Sequence, residues 1–210
     1  GSRVRPLADR NFGNMRGPAG ELFAAAGAVV GAPETARELM RHDEPILVFP
    51  GGGREIAKFK GEEYTLRWQG RAGFARLAAE HNYPIVPVGL VGGDDVYRSL
   101  ITRTSWWGRA SLELSKKLSG RSDMALPLMH GIGPTLIPRP HRMYLRFASP
   151  IDTTKPARVS DEKWVATIKA KTQESLEQIL DELLELRSRD PYRELNPLAR
   201  HRAIRPPVQD

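Results

Sequence analysis

Residues 45–55 read PILVFPGGGRE. The run Pro45-Ile46-Leu47-Val48-Phe49 has strand length and no polar alternation, so it reads as a buried strand in a sheet covered on both faces. Three glycines follow, then Arg54 and Glu55. Two readings of that junction are open. One is a tight turn after a strand. The other is a loop at the strand's C-terminal end, where open α/β sheets bind their ligands. In the second, Gly51, Gly52 and Gly53 let an oxygen-rich group approach the main chain, and Arg54 grips it as a bidentate fork.

Upstream, APETARELMRHDE predicts a helix from Pro33 to near His42, with proline in its first turn and Glu34 at the positive end of the dipole. Ala28 to Val30 suits a strand, and PAGELFAAAGAVVG a short Ala-rich helix ending near Gly27. Downstream, RAGFARLAAEHN (71–82) reads as a helix with Phe74, Leu77 and Ala78 on one face. Pro84 to Val91 reads as a second buried strand, closed by Gly92-Gly93-Asp94-Asp95. Helix and strand thus alternate through the middle of the chain. That argues for an α/β fold with a mostly parallel or mixed central sheet flanked by helices on both faces.

SWWGRASLELSKKLS (105–119) is an amphipathic helix, and residues 123–140 are apolar, Pro-rich and irregular. In HRMYLRFASPI (141–151), Met143, Leu145 and Phe147 alternate with Arg142, Tyr144 and Arg146, the pattern of a strand. Asp161 to Ser188 carries a stripe of Trp164, Ile168, Leu176, Ile179, Leu180, Leu183 and Leu184 at helical spacing. The expected organisation is one domain over 1–189 and a basic tail over 190–210.

The 210 residues carry a net charge of +7 and no cysteine, which excludes disulfides and thiolate chemistry. A basic chain favours anionic partners. No stretch of about 18 apolar residues spans a bilayer. The loop at 51–55 lacks both the P-loop pattern and G-x-G-x-x-G, and G-x-S-x-G is absent. His42, His81, His130, His141 and His201 are scattered without metal-ligand spacing, so no metal is expected. Arginine and lysine are dispersed, aromatics make up 7%, and no nucleic-acid motif is present, so nucleic acid is not an expected partner.

FPGGGRE, followed by GRAGFARLAAEHNYPIVPVGLVGGDDVY (70–97), resembles blocks of the glycerolipid acyltransferases. It is most similar to the diacylglycerol acyltransferase branch and its bacterial relatives, whose loop is usually Phe-Pro-Gly-Gly-x-x-Glu. RVRPLADRNFG and GAVVGAPETARELM resemble that branch's upstream segment, so the similarity covers about 3–155. The resemblance implies transfer of an acyl group from acyl-CoA or acyl carrier protein to the hydroxyl of a lipid acceptor, with a histidine as general base. It implies acyl-CoA as co-substrate and no permanently bound cofactor. By the same resemblance Phe49, Pro50, Gly51, Gly52, Gly53, Arg54 and Glu55 form the substrate-holding block. Arg54 takes the polar head group, and Pro87 belongs to the fourth block with Ile85, Val86 and Val88. Gly51 stands where the phosphoglyceride branch has glutamate.

The family's His-x-x-x-x-Asp pair has no counterpart here. Five residues after each histidine stand Leu47, Val86, Thr135, Arg146 and Pro206, so no catalytic residue is identifiable in this chain. The expectation is a longer enzyme carrying that histidine upstream. A lipid acceptor also implies a membrane surface, met from the cytoplasm as a peripheral protein on the inner face. Trp106 and Trp107, flanked by Arg103, Arg109, Lys116 and Lys117, suit an interfacial helix or a place in the core. LPLMHGIGPTLIP (126–138) suits an acyl channel or plain core. The competing reading from another class is a non-catalytic module that binds lipid or acyl chains.

Overall fold

Parallel pairing organises the first part of the chain. In the computed structural model, which describes residues 4–8, 29–56, 58–119 and 129–193, β1 (Arg5–Ala8) lies between β2 (Val29–Val30) and β3 (Ile46–Leu47) and runs parallel to both. The three strands therefore end on one edge, from which the chain enters FPGGGRE. Only two residues of the apolar run 45–49 are strand, both half-buried, and Phe49 is 59% exposed. Apolar continuity overstated the strand because the turn has already begun: the Gly52 N–H donates to the Phe49 carbonyl at 2.9 Å.

The chain divides into two compact units. The first comprises Gly1–Gly53, Trp68–Ile85 and Pro150–Thr172; the second comprises Arg54–Arg67, Val86–Ser149 and Gln173–Asp210.

In the first unit, α1 (Pro33–Arg41) has proline at its start, Glu34 in its first turn and Arg41 in its last, and buries Ala36 and Met40. A single turn, α2 (Gly53–Ile56), begins where this unit's first segment ends. α3 (Gly73–His81) stops at Asn82, which adopts a left-handed φ of 51°. Ala75 of α3 packs with Val165 and Ile168, and Phe74, Ile85 and Trp164 close around them. Trp68 meets Phe74 edge to face at 5.2 Å. A polar knot ties this core: the buried Thr153 hydroxyl reaches the carbonyls of Ala78 at 3.1 Å and Tyr83 at 2.9 Å. The Trp164 indole N–H donates to the Thr153 carbonyl at 2.8 Å.

In the second unit, β4 (Val88–Val91) leads into the one-turn α4 (Gly93–Val96), β5 (Arg98–Ser99) and α5 (Trp106–Ser119). β6 (Met129–His130) pairs antiparallel with β5, and β7 (Tyr144–Phe147) with β4. The last helix is α6 (Asp161–Arg189), of which residues from Gln173 onward belong here. Val91, Tyr144, Ile179 and Leu183 form the core. Gly89 is buried with them, pressed against Ile179.

The α/β class holds, with the strands among the described residues spread over one parallel and two antiparallel small sheets. The run 84–91 forms no single strand. Ile85 bridges to Ile151 in the first unit, and Val88–Val91 pairs with β7 in the second. Pro84 and Pro87 explain the break, since neither can donate to a ladder. The alternation over 142–147 is real, but the buried side is the one carrying Tyr144. Leu90, Leu145 and Phe147 line the exposed side. The α6 stripe is core at Ile168, Ile179 and Leu183, as its spacing predicts. Most of the Ala-rich segment 18–31 and the tail from residue 194 lie outside the described residues. The tail's start is tied down: Asp190 is buried, and the Arg142 N–H donates to the Arg193 carbonyl at 3.1 Å.

Candidate functional site

The turn after β3 is built by backbone geometry. Gly52 sits at φ +58°, a left-handed conformation costly to residues with a Cβ, and a Cβ there would lie 3.1 Å from the Arg71 guanidinium. Arg71 Nη1 donates to the Gly51 carbonyl at 3.2 Å, and Gly51 is buried. The first unit thus places a guanidinium beside Gly51 and Gly52. The sequence offered Arg71 only as the first residue of the helical stretch RAGFARLAAEHN; its position just ahead of α3 was the available signal. Pro50 is half-buried and the Phe49 ring stands outward.

Arg54 and Glu55 belong to the second unit and are both half-buried. The Glu55 carboxylate accepts from the Arg67 N–H at 3.3 Å, so it helps hold the segment 58–67. Pro87 is buried, and its carbonyl accepts from the Ala148 N–H at 2.9 Å.

Two charged clusters stabilise the second unit. Glu62 accepts from the Phe59 N–H at 3.0 Å, from Arg67 at 2.6 Å, and from Arg103 through Nε at 2.6 Å and Nη2 at 2.9 Å. Burial disfavours the Glu62 charge, but the Arg103 and Phe59 hydrogen bonds and the two guanidinium charges outweigh it. The carboxyl is held below its ordinary range. Arg103 also lies over the Phe59 ring at 4.2 Å. Its charge is therefore committed internally, which removes it from the basic flank expected around Trp106.

The second cluster centres on Tyr64. Its hydroxyl donates to Asp95 and accepts from the Gly92 N–H at 3.0 Å, while its own N–H donates to Asp94 at 2.8 Å. Lys58 pairs with Asp94 at 2.8 Å and Arg187 with Asp95 at 2.8 Å. Burial first, and then the donation to Asp95, push the Tyr64 phenol well above its ordinary value. This is a latch joining 58–64, the turn after β4 and the end of α6.

Trp106 and Trp107 are 68% and 58% exposed, their rings stacked at 4.0 Å. They do not pack into the core, and neither does the described part of 126–138, where Ile132, Leu136 and Ile137 are exposed. Residues 126–128 lie outside the described residues. His42 pairs with Glu38 at 3.1 Å on the exposed face of α1, and the His130 ring bonds the Gly133 carbonyl at 2.8 Å. Among the described residues no group of three His, Asp or Glu side chains could hold a metal, and no helix is long and apolar enough to cross a membrane.

Residues 2–91 match the family model described as Acyltransferase. The chain is 32% identical over 170 residues to phytyl ester synthase 2, chloroplastic, of Arabidopsis thaliana, covering 76% of this chain and 24% of that protein. Phytyl ester synthase 1, chloroplastic, of the same plant is 32% identical over 186 residues, 83% of this chain and 26% of its own length. Human diacylglycerol O-acyltransferase 2 is 25% identical over 134 residues, 62% of this chain and 34% of that protein. The chain thus spans about a quarter of the length of the phytyl ester synthases it matches. No solved structure matches it.

Proposed function

We propose that the chain is an acyltransferase near the diacylglycerol acyltransferase branch, as its match to the Acyltransferase model over residues 2–91 and its similarity to the phytyl ester synthases and diacylglycerol O-acyltransferase 2 support, and that it is the substrate-holding part of an enzyme that esterifies a lipid hydroxyl. The donor is a thioester, acyl-CoA or acyl carrier protein. A histidine outside this chain takes the proton of the acceptor hydroxyl, whose oxygen adds to the thioester carbonyl. The tetrahedral intermediate collapses, the C–S bond breaks, and the carrier leaves as a thiolate that regains a proton. By the family resemblance Arg54 anchors the polar group of a substrate and Gly51, Gly52 and Gly53 shape the approach, and Phe49, Pro50, Glu55 and Pro87 are further substrate-binding residues.

The observation that carries this reading is the glycine turn itself. It leaves the C-terminal edge of a parallel sheet, where α/β folds place ligands, and it keeps a guanidinium, that of Arg71, against its carbonyl. The relatives' names extend it: phytyl ester synthase and diacylglycerol O-acyltransferase both form esters of lipid alcohols. The exposed Trp106–Trp107 pair supports a peripheral seat on a membrane surface, and the inner face is our assignment. The alternative is a non-catalytic lipid-binding module, which the exposed Trp106–Trp107 pair fits equally.

Radiolabelled acyl transfer to diacylglycerol or a long-chain alcohol tests both. Arg54→Ala is expected to lower kcat/KM roughly tenfold or more, the loss of a charge-assisted contact, measured at a temperature where circular dichroism shows the variant folded. Wild-type activity in that variant rules out the anchoring role. Vesicle binding with no acyl transfer by the full-length natural protein selects the module.

A further inference from the structure

Between β6 and His141 the chain folds back on itself. The Gly131 N–H donates to the Thr135 carbonyl at 2.6 Å, and the Ile132 N–H to the Ile137 carbonyl at 2.8 Å. The Thr135 N–H donates to the Ile132 carbonyl at 3.2 Å. The Thr135 hydroxyl donates to the Ile132 carbonyl at 2.7 Å and accepts from the Ile137 N–H at 3.2 Å. His130 Nδ1–H donates to the Gly133 carbonyl at 2.8 Å, and Arg139 Nε to the Gly131 carbonyl at 2.8 Å. The closure is tight: a Cβ on Gly131 would lie 1.7 Å from the Ile137 carbonyl oxygen.

A turn that pairs its backbone groups with one another ordinarily offers polar side chains to water. This one offers Ile132, Leu136 and Ile137, exposed by 48%, 73% and 59%. Residues 129–138 hold no Asp, Glu, Lys or Arg. Entry into an apolar phase is costly for unpaired backbone N–H and C=O groups, and here the loop pairs many of them internally. Pairing of β5 with β6 sets the loop's base beside Arg98 and Ser99, where the segment leading into α5 begins. The first turn of α5 packs on that segment, for a Cβ on Gly108 would lie 2.3 Å from the Thr102 carbonyl oxygen. Among the described residues of 98–142, Arg98, Arg109, Lys116 and Lys117 are exposed, against one exposed carboxylate, Glu113. An aliphatic tip on a segment whose exposed charges are mostly basic complements an anionic lipid surface.

We propose that residues 131–137 form a wedge that inserts among the head groups of an anionic phospholipid bilayer, a second contact beside the Trp106–Trp107 pair. This rests on the reading that the enzyme works at a lipid surface. Because the chain has no cysteine, a single environment-sensitive dye can be attached at Leu136→Cys, at Trp107→Cys, or at Glu174→Cys on α6 as a spectator. With phosphatidylcholine vesicles containing phosphatidylglycerol, the dye at 136 is expected to shift to the blue and be quenched by bromolipid, and the dye at 174 is not. Leu136→Ser and Ile137→Ser are each expected to weaken partitioning roughly tenfold with the unfolding midpoint unchanged. A dye at 136 that stays in water while that at 107 is quenched overturns the wedge and leaves the lipid-surface reading standing. If both stay in water, both readings fail. Equal binding to pure phosphatidylcholine overturns the anionic preference.

Discussion

Gly89→Ala probes how β4 sits on α6. A methyl built on Gly89 lies 2.3 Å from Ile179 Cγ2, 3.2 Å from Ile179 Cβ and 3.7 Å from Leu183 Cδ1. Carbon atoms pack at about 3.5–4.0 Å, so the first contact must open by more than an ångström. Ile179 is buried, and on a helix a β-branched side chain holds one χ1 rotamer in about 90% of cases, so rotation gives no relief. The strand must bend or the helix must lift, at a cost of about 1–3 kcal/mol. Ile179→Ala alone leaves a cavity and costs about 2–5 kcal/mol. It also removes Cγ2, so in the double variant the methyl added to Gly89 fills vacated space. The double variant is expected to be more stable than the sum of the singles predicts, with a coupling of about 1–2 kcal/mol. Urea unfolding at constant m-value measures each corner of the cycle. A Gly89→Ala change within about 0.5 kcal/mol of wild type, or strict additivity, refutes this packing.

Tyr144 and Asp190 set opposite limits on pH. Burial and the hydrogen bond to Asp190 push the Tyr144 phenol up to about 12 from 10.0, so its contribution is complete below the unfolded value and is lost as pH rises from 10 to about 12. Ultraviolet titration and urea midpoints are expected to move together across that window. Asp190 is the reverse. Burial opposes its charge, but Tyr144, the Tyr192 N–H and Arg142 hold its carboxyl below the ordinary range. Its contribution is present above the unfolded value and disappears as pH falls through the depressed one, so Asp190→Asn is expected to flatten the acid limb of the stability profile. Gly52→Ala is expected to cost about 1–2 kcal/mol for its left-handed backbone and to disturb Arg71. Gly52→Asn, which tolerates that conformation, is expected to cost less, and equal unfolding midpoints for the two disprove the strain.

Sequence periodicity located most of the elements. Pro33, the α3 pattern and the α6 stripe each marked a helix whose ends match to within a few residues, because amphipathic spacing and caps act locally. Strand partners were not legible, since they depend on residues far along the chain. The antiparallel match of β4 with β7 sets Val88 against Phe147. Which side of that pair is buried followed from where α6 packs, not from hydrophobicity: the aliphatic side faces out and Tyr144 faces in. At the candidate site, FPGGGRE announced the turn, but Arg71 came to it through the tertiary fold, and Glu62 withdrew Arg103 from the surface in the same way.

The Tyr64 latch bears on the order in which the molecule can be made. Tyr64 and Asp95 leave the ribosome well before Arg187, which completes their cluster, and the core of Val91 and Tyr144 also waits for Ile179 and Leu183. During synthesis the strands of the second unit stay uncovered until the final helix emerges. Its closure is a late, long-range event in which most of the ordering entropy is lost at once. A stop codon within α6 would therefore remove the closing step of the whole unit, leaving a nascent chain with its apolar strands open to chaperone and protease alike.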